Sequence, residues 1–295
     1  MIVYESCPNC GNKNISFVLN AKDYTVSGQQ FEIWECNNCT QRFTQNIPSK
    51  QEIVKFYQSE NYISHSDTSK GLINNLYHKV RKRTLLQKKK LVQDFTGKKT
   101  GNILDIGAGT GAFLHTMKLA VWNTTGLEPD ETARKKAVEL YDLNLKKTEE
   151  FVHLPAESFD AITMWHVLEH VHDLHTYIEQ LKVLLKPRGK IFIAVPNYTS
   201  FDAQLYKEFW AAYDVPRHLY HFSPKSMETL INSHGMKIEK IKPMWYDSIY
   251  VSMLSEQYKS GKSHPANAVL SGIISNLKSI FDTRKCSSII YVIHK

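Results

Sequence analysis

The sequence predicts an α/β fold: a doubly wound, mostly parallel sheet of seven strands with helices on both faces, preceded by a small cysteine-rich module. Three observations carry that reading. A short apolar run ends in the loop "LDIGAGTG" (104–111), which opens directly onto a helical pattern. "NTTGLEPDETARKKAVEL" (123–140) repeats the order of strand then helix. "FDAITMW" (159–165), "GKIFIAVPN" (189–197) and "SSIIYVIHK" (287–295) are apolar runs of the length of buried strands.

At 295 residues, 42% of them apolar, the chain suffices for one substantial α/β domain and a small module. No apolar run approaches the roughly 20 residues of a membrane span. The start, "MIVYESCPNC", has neither the basic opening nor the apolar stretch of a secretory signal. The five cysteines are not spread as a disulfide framework, so the expectation is a cytoplasmic protein with reduced thiols.

The first element is a metal module over residues 1–46. Cys7 and Cys10 form one CxxC pair, Cys36 and Cys39 a second, with 25 residues between the pairs. CxxC lets two sulfurs on one tight turn converge on an ion, and Zn²⁺ favours four tetrahedral thiolates. "ISFVLN" and "QFEIWEC" read as strands, which makes each pair a knuckle at the end of a hairpin. With four protein ligands no position is left open, so the zinc is expected to be structural. A redox pair or unrelated cysteines would be the plainer reading of either CxxC alone.

Residues 47–100 follow as a linker and a basic amphipathic helix. Residues 70–100 hold ten Lys or Arg and a single acid, Asp94, while the rest of the chain is close to neutral. Leu72, Leu76 and Val80, then Leu91, Val92 and Phe95, recur at helical spacing. A solvated helix face is preferred here over a nucleic-acid or anionic-membrane patch.

The glycine loop begins the main domain, 101–295. Gly107, Gly109 and Gly111 remove side chains where backbone must approach a ligand, and the helix that follows offers free N–H groups. The same glycines fit a dinucleotide fingerprint, Gly107-x-Gly109-x-x-Ala112, so a nicotinamide-dependent oxidoreductase competes. Asp105 argues against it, because a carboxylate beside a pyrophosphate is unfavourable. Glu128, ending the second strand, could accept both hydroxyls of a ribose. "GMKIEKIKPM" supplies a sixth strand, and the terminal apolar strand should insert between the fifth and the sixth.

Taken in order, "LDIGAGTG", "GLEPD", "FDAITMWHVLEHV" and "LKPRGKIFIAVPN" resemble the class I S-adenosylmethionine-dependent methyltransferases, within the broad group that includes ubiquinone-pathway O-methyltransferases. The resemblance covers Asn102 to Asn197, and the zinc ribbon ahead of that domain extends it over the whole chain. It implies that Asp105, Gly107 and Gly109 line the methionine end of S-adenosylmethionine, with Ala108 and Gly111 in the same loop. Glu128 takes the ribose, Pro129 and Asp130 flank the adenine, Met164 and Trp165 floor the pocket with His166, and Tyr62 and His65 cap the cofactor. Some of the group hold a divalent ion with an acidic pair and a histidine. Here His166 precedes Glu169 and His170 where an acid would stand, which puts that ion in doubt.

A hydroxyl acceptor needs its proton removed, and histidine suits the task. "EFWAAYDVPRHLYHFSP" (208–224), in an expected acceptor-side insertion at about 198–224, offers His218 as the leading base, with His166 second. Trp210, Tyr213 and Tyr220 are expected to shape the pocket. "HVLEH" also matches the HxxEH pattern of a zinc-protease class, a reading set aside because the segment follows a strand of a cofactor-binding fold. The function expected is O-methylation of a small molecule or saccharide. An RNA methyltransferase is the second enzyme reading, disfavoured because residues 1–45 carry a net charge of −1. A non-catalytic protein of the same fold is the third.

Overall fold

Hydrophobic periodicity becomes two sheets in the computed structural model, which describes residues 1–57, 72–262 and 265–295, the side chains of 72–78 excepted. Tyr62 and His65, and the side chains of Leu72 and Leu76, lie outside the described residues.

The main sheet holds six strands in the order β5-β4-β6-β7-β10-β9. These are β4 (Asn102–Ile106), β5 (Asn123–Leu127), β6 (Phe159–Trp165), β7 (Leu185–Pro196), β9 (Lys237–Pro243) and β10 (Ser288–His294). β4 runs parallel to both β5 and β6. As the terminal apolar run implied, β10 lies between β7 and β9.

Seven strands were expected and the described residues form six. After the helix α3 (Glu131–Tyr141), "LNLKK" makes only an isolated bridge, Leu127 with Lys146. Two backbone bonds hold it: Lys146 N–H donates to Gly126 O at 2.9 Å, and Glu128 N–H to Lys146 O at 3.0 Å. Leu143 and Leu145 are the only apolar residues there before a charged run, too few for a ladder.

The small sheet has the order β1-β2-β3-β8, built from β1 (Ile15–Lys22), β2 (Gln30–Cys36), β3 (Arg42–Thr44) and β8 (Tyr220–His221). β8 joins antiparallel, pairing Arg42 with His221 and Phe43 with Tyr220. The polar–aromatic segment is therefore stitched to the cysteine-rich hairpin.

The helices are α1 (Leu72–Thr96), α2 (Ala112–Leu119), α3, α4 (Leu174–Leu184), α5 (Phe201–Tyr206), α6 (Pro224–Ser233), α7 (Asp247–Ser260) and α8 (Pro265–Phe281). Two start signals are visible in the sequence. Asp130 caps α3, accepting from Ala133 N–H, and Ser223 forms a capping box with Ser226 ahead of Pro224.

Two compact units result. One comprises the described residues up to Tyr57, Leu168–His175 and Ala194–Tyr291, with a core of Phe31, Ile33, Phe56, Tyr206, Trp210 and Tyr213. The other runs from Leu72 to Val167 and adds Thr176–Ile193 and Val292–Lys295, with a core of Val92, Ile103, Phe113, Leu114, Met117 and Trp122. Val92 of α1 is buried in this core, with Leu91 and Phe95 packed against it.

Candidate active site

The glycine loop turns immediately after β4. Gly107, Gly109 and Gly111 all have positive φ, at 70°, 54° and 81°. At Gly107 an added Cβ would lie 2.4 Å from Val167 Cγ2, so the turn is closed against the protein. At Gly109 it would meet nothing within 4 Å, so the loop is open above that residue. That opening is what a ligand approaching the backbone requires.

Two buried carboxyls border the loop. Glu128 accepts from Gly109 N–H at 2.7 Å through Oε2 and from Asp130 N–H at 3.0 Å through Oε1. It braces the loop while each oxygen keeps a further lone pair. Burial pushes its carboxyl up, and the two backbone N–H groups oppose that. Asp105, 2% exposed, accepts from Thr163 Oγ1 at 2.6 Å. Burial raises it to about 7, against the Thr163 hydrogen bond and the charge of Lys88.

At the end of β6 the chain makes a strained turn. Met164 is fully buried, and His166 adopts φ 58°, a left-handed conformation costly for a residue with a Cβ. Trp165 packs edge-on against Phe113, with Lys88 Nζ 4.2 Å from the ring centroid. Its indole Nε1 is buried without a hydrogen-bond partner among the described residues. Pro129 O accepts from Arg134, and Asp130 spends its carboxylate on the cap of α3.

The second cluster is centred on Arg217. Its guanidinium, 1% exposed, donates to Asp214 at 3.0 and 2.6 Å, to Asp23 at 3.1 Å and to Phe56 O at 2.8 Å. Burial raises Asp23, but backbone N–H donation from Ser27 and the Arg217 charge outweigh it and hold the carboxyl at about 2. Asp214 is likewise held down, burial being outweighed by Arg217 and His218.

His218 lies beside this network, 9% exposed. Its Nδ1–H donates to Ala212 O at 2.9 Å, which leaves the lone pair on Nε2, 3.9 Å from Asp214 Oδ2. The His170 ring stands edge-on to it, centroids 4.6 Å apart, with Nδ1–H donating to Arg217 O at 3.0 Å. Burial, then the neighbouring His218, lowers His170 to about 4, so it is neutral near pH 7. One ligand atom from each of Glu169, His170 and His218 lies within 4.8 Å of the others.

Trp210, Tyr213, Tyr220 and Phe222 are each at most 3% exposed. The expectation that Trp210, Tyr213 and Tyr220 shape an acceptor pocket therefore needs correcting: these rings fill the core of their unit. Tyr213 accepts from Arg42 at 3.0 Å, and Trp210 Nε1–H donates to Asp202 at 2.9 Å. Aromatic residues between charges look alike in sequence whether they line a pocket or cover an ion network.

The four cysteines of the ribbon are all free thiols and converge, with every pair of sulfurs within 4.8 Å. Cys7 and Cys39 are 3.6 Å apart, as are Cys10 and Cys36. A zinc tetrahedron with Zn–S of about 2.3 Å has sulfur–sulfur edges of about 3.8 Å, so the set fits a zinc ion.

A family model described as a methyltransferase domain matches residues 76–241, more than half of the chain. The chain belongs to the class I S-adenosylmethionine-dependent methyltransferases. The human mitochondrial ubiquinone biosynthesis O-methyltransferase is 28% identical over 206 residues, 60% of this chain and 56% of that protein. The ubiquinone biosynthesis O-methyltransferase of Actinobacillus pleuropneumoniae serotype 7 is 40% identical over 108 residues, 33% of this chain and 46% of that one. The chain thus spans about half the length of the curated relatives it matches. A solved S-adenosylmethionine-dependent methyltransferase from Archaeoglobus fulgidus shares the fold, with a TM-score of 0.50 at 21% identity over 73% of this chain and 94% of that one.

In this methyltransferase the structure brings Asp105, Gly107, Ala108, Gly109, Gly111 and Glu128 together around one loop. It gathers Glu169, His170 and His218 in another cluster. Sequence reasoning missed Thr163 and Lys88 beside Asp105, and Asp23 beside Arg217. Thr163 carried a faint signal, a hydroxyl inside an apolar strand. Lys88 was one of ten cations and Asp23 one of several turn acids, so neither stood out.

Proposed function

We propose that the chain is an S-adenosylmethionine-dependent O-methyltransferase whose acceptor is a hydroxyl of a small molecule or a saccharide. When bound, the cofactor supplies an electrophilic methyl group on a positively charged sulfur. The residues around the glycine loop suit it: backbone open above Gly109, a carboxylate at Glu128 for the ribose hydroxyls, and an acid at Asp105 beside the cationic end. Gly107, Ala108 and Gly111 shape the same loop, with Pro129 and Asp130 toward the adenine. Met164 and Trp165 form the floor, and Tyr62 and His65 are assigned to the cap. The structural zinc stays with Cys7, Cys10, Cys36 and Cys39.

His218 receives the acceptor's proton. One observation carries this role: the Ala212 carbonyl fixes the Nδ1–H, so Nε2 is the basic atom. His166, at its strained turn, is the reserve. The named O-methyltransferase activity of the ubiquinone relatives supports a small-molecule hydroxyl.

A second reading rests on the same cluster. Glu169, His170 and His218 offer a carboxylate and two imidazoles, a donor set that suits a divalent ion, which would polarise an acceptor hydroxyl. His218 would then be a ligand and no longer a base.

Transfer of a labelled methyl from S-adenosylmethionine is to be measured over phenols, hydroxy acids, glycans and RNA, with and without added Mg²⁺ or Mn²⁺. Methylation of a phenol or glycan, lost in His218→Ala and indifferent to the added ion, is the expected result. Transfer that needs the added ion favours the second reading, and labelling of RNA alone overturns the acceptor assignment.

A further inference from the structure

α7 and α8 are packed inside out. α8 buries Ala268, Ser271, Gly272, Ser275 and Ser279, and α7 buries Ser248, Ser252 and Ser255. The large apolar residues face outward: Leu270 is 59% exposed, Ile273 45%, Leu277 51%, Ile280 65% and Phe281 91%, with Met253 of α7 at 43%. Positions 270, 273, 277 and 280 form one continuous stripe at helical spacing.

The buried side explains how the pair holds together. A Cβ on Gly272 would lie 2.8 Å from Ile249 Cα, so the two backbones approach closely across small residues. Ser248 Oγ donates to Asn276 Oδ1 at 2.9 Å and Asn276 Nδ2 donates to Trp245 O at 2.8 Å. Small residues and hydroxyl bonds between helices, with bulky apolar residues outside, are the arrangement of helices whose outer solvent is lipid.

Charge decides the occupant. Between residues 247 and 285 stand Lys259, Lys262, Lys278, Arg284 and Lys285, all exposed, against Asp247, Glu256 and Asp282, of which Asp282 is exposed and the other two are half-buried. α8 itself contains no acid. At 17 residues it is about 26 Å long, and among the described residues no helix is long and apolar enough to cross a membrane. An apolar stripe flanked by cations on a non-spanning helix lies in a bilayer interface. A two-fold dimer through this face would set each protomer's cations around those of the other, which is unfavourable.

We infer that the outer face of the α7–α8 hairpin docks on the anionic surface of a lipid bilayer, with Leu270, Ile273, Leu277, Ile280 and Phe281 entering the headgroup–acyl boundary. The inference is independent of the acceptor's identity.

The test is flotation of the full chain with phosphatidylcholine vesicles, with and without phosphatidylglycerol. The protein is expected to float with the anionic vesicles and to be released by salt. The double variant Leu277→Asp/Ile280→Asp should lower partition by roughly tenfold or more with an unchanged Tm, since both side chains are exposed. Arg284→Gln/Lys285→Gln should weaken binding and flatten its salt dependence. In Phe281→Trp, emission should shift to the blue on adding vesicles and be quenched by brominated lipid. Absence of flotation, or flotation unaffected by the aspartates, overturns the inference. So does a solution dimer that Leu277→Asp dissociates and that vesicles do not capture.

Discussion

Asp105 lies 2% exposed at the end of β4, and burial sets its carboxyl at about 7 despite the hydrogen bond from Thr163. A raised folded value means a stability contribution present below the unfolded value near 4 and lost as pH rises through about 7. A cationic ligand beside the carboxylate reverses that cost, since it favours the ionised form. S-adenosylmethionine binding, followed by calorimetry, should therefore tighten by about tenfold between pH 6 and 8, and Asp105→Asn should flatten the profile. Arg217 poses the opposite problem, a cation whose removal strands one buried acid, Asp23, and one half-buried acid, Asp214. Arg217→Met should cost about 3–5 kcal/mol in urea unfolding, because Asp23 and Asp214 lose their counter-charge. His218→Ala should lower turnover by roughly a hundredfold or more while leaving cofactor affinity near that of the parent. Normal turnover in both His218→Ala and His166→Ala would remove the case for a histidine base.

At the scale of the element, the turn between β4 and α2 separates glycines that shape the fold from one that faces a ligand. Gly107 is walled by Val167, whereas the space over Gly109 is open. Gly107→Ala should thus lower the Tm of the ligand-free protein, through both the clash and a positive φ. Gly109→Val should cost about 1–2 kcal/mol from its left-handed backbone, yet abolish the Tm rise given by S-adenosylmethionine. If Gly109→Val keeps that rise, the cofactor does not approach the loop there. This loop was legible in the sequence, because three glycines at alternate positions after a buried strand have few other uses. Glu128 was legible as a strand-end acid, but its bracing of Gly109 was not, since that bond depends on the loop's fold.

For the whole molecule, the cysteine knuckles and the segment carrying His218 are one structural problem. β3 emerges close to Cys39 and pairs with β8, and Thr44 Oγ1 donates to His218 O at 2.7 Å. The purified chain should contain one zinc ion. Chelation should increase hydrogen exchange over residues 1–45 and, through β8, over 208–224 as well. Protection at 208–224 that survives complete zinc removal would show that β8 does not depend on the ribbon.

By itself the sequence determined the strand–helix order around the glycine loop, the pairing of the four cysteines in two CxxC units, the loop itself and the place of β10 between β7 and β9. Those features are written in local periodicity and in residue types that only a few conformations use. The tertiary structure alone decided that Asp23 pairs with Arg217, 194 positions away, and that β8 seals the ribbon's sheet. It also decided that Trp210, Tyr213 and Tyr220 are core, and that α8 turns its serines inward and its leucines out. The physical reason is common to all four. A charge, a ring or a two-residue strand has no periodicity to announce its partner, and which side of an amphipathic helix faces water depends on what the folded chain places beside it.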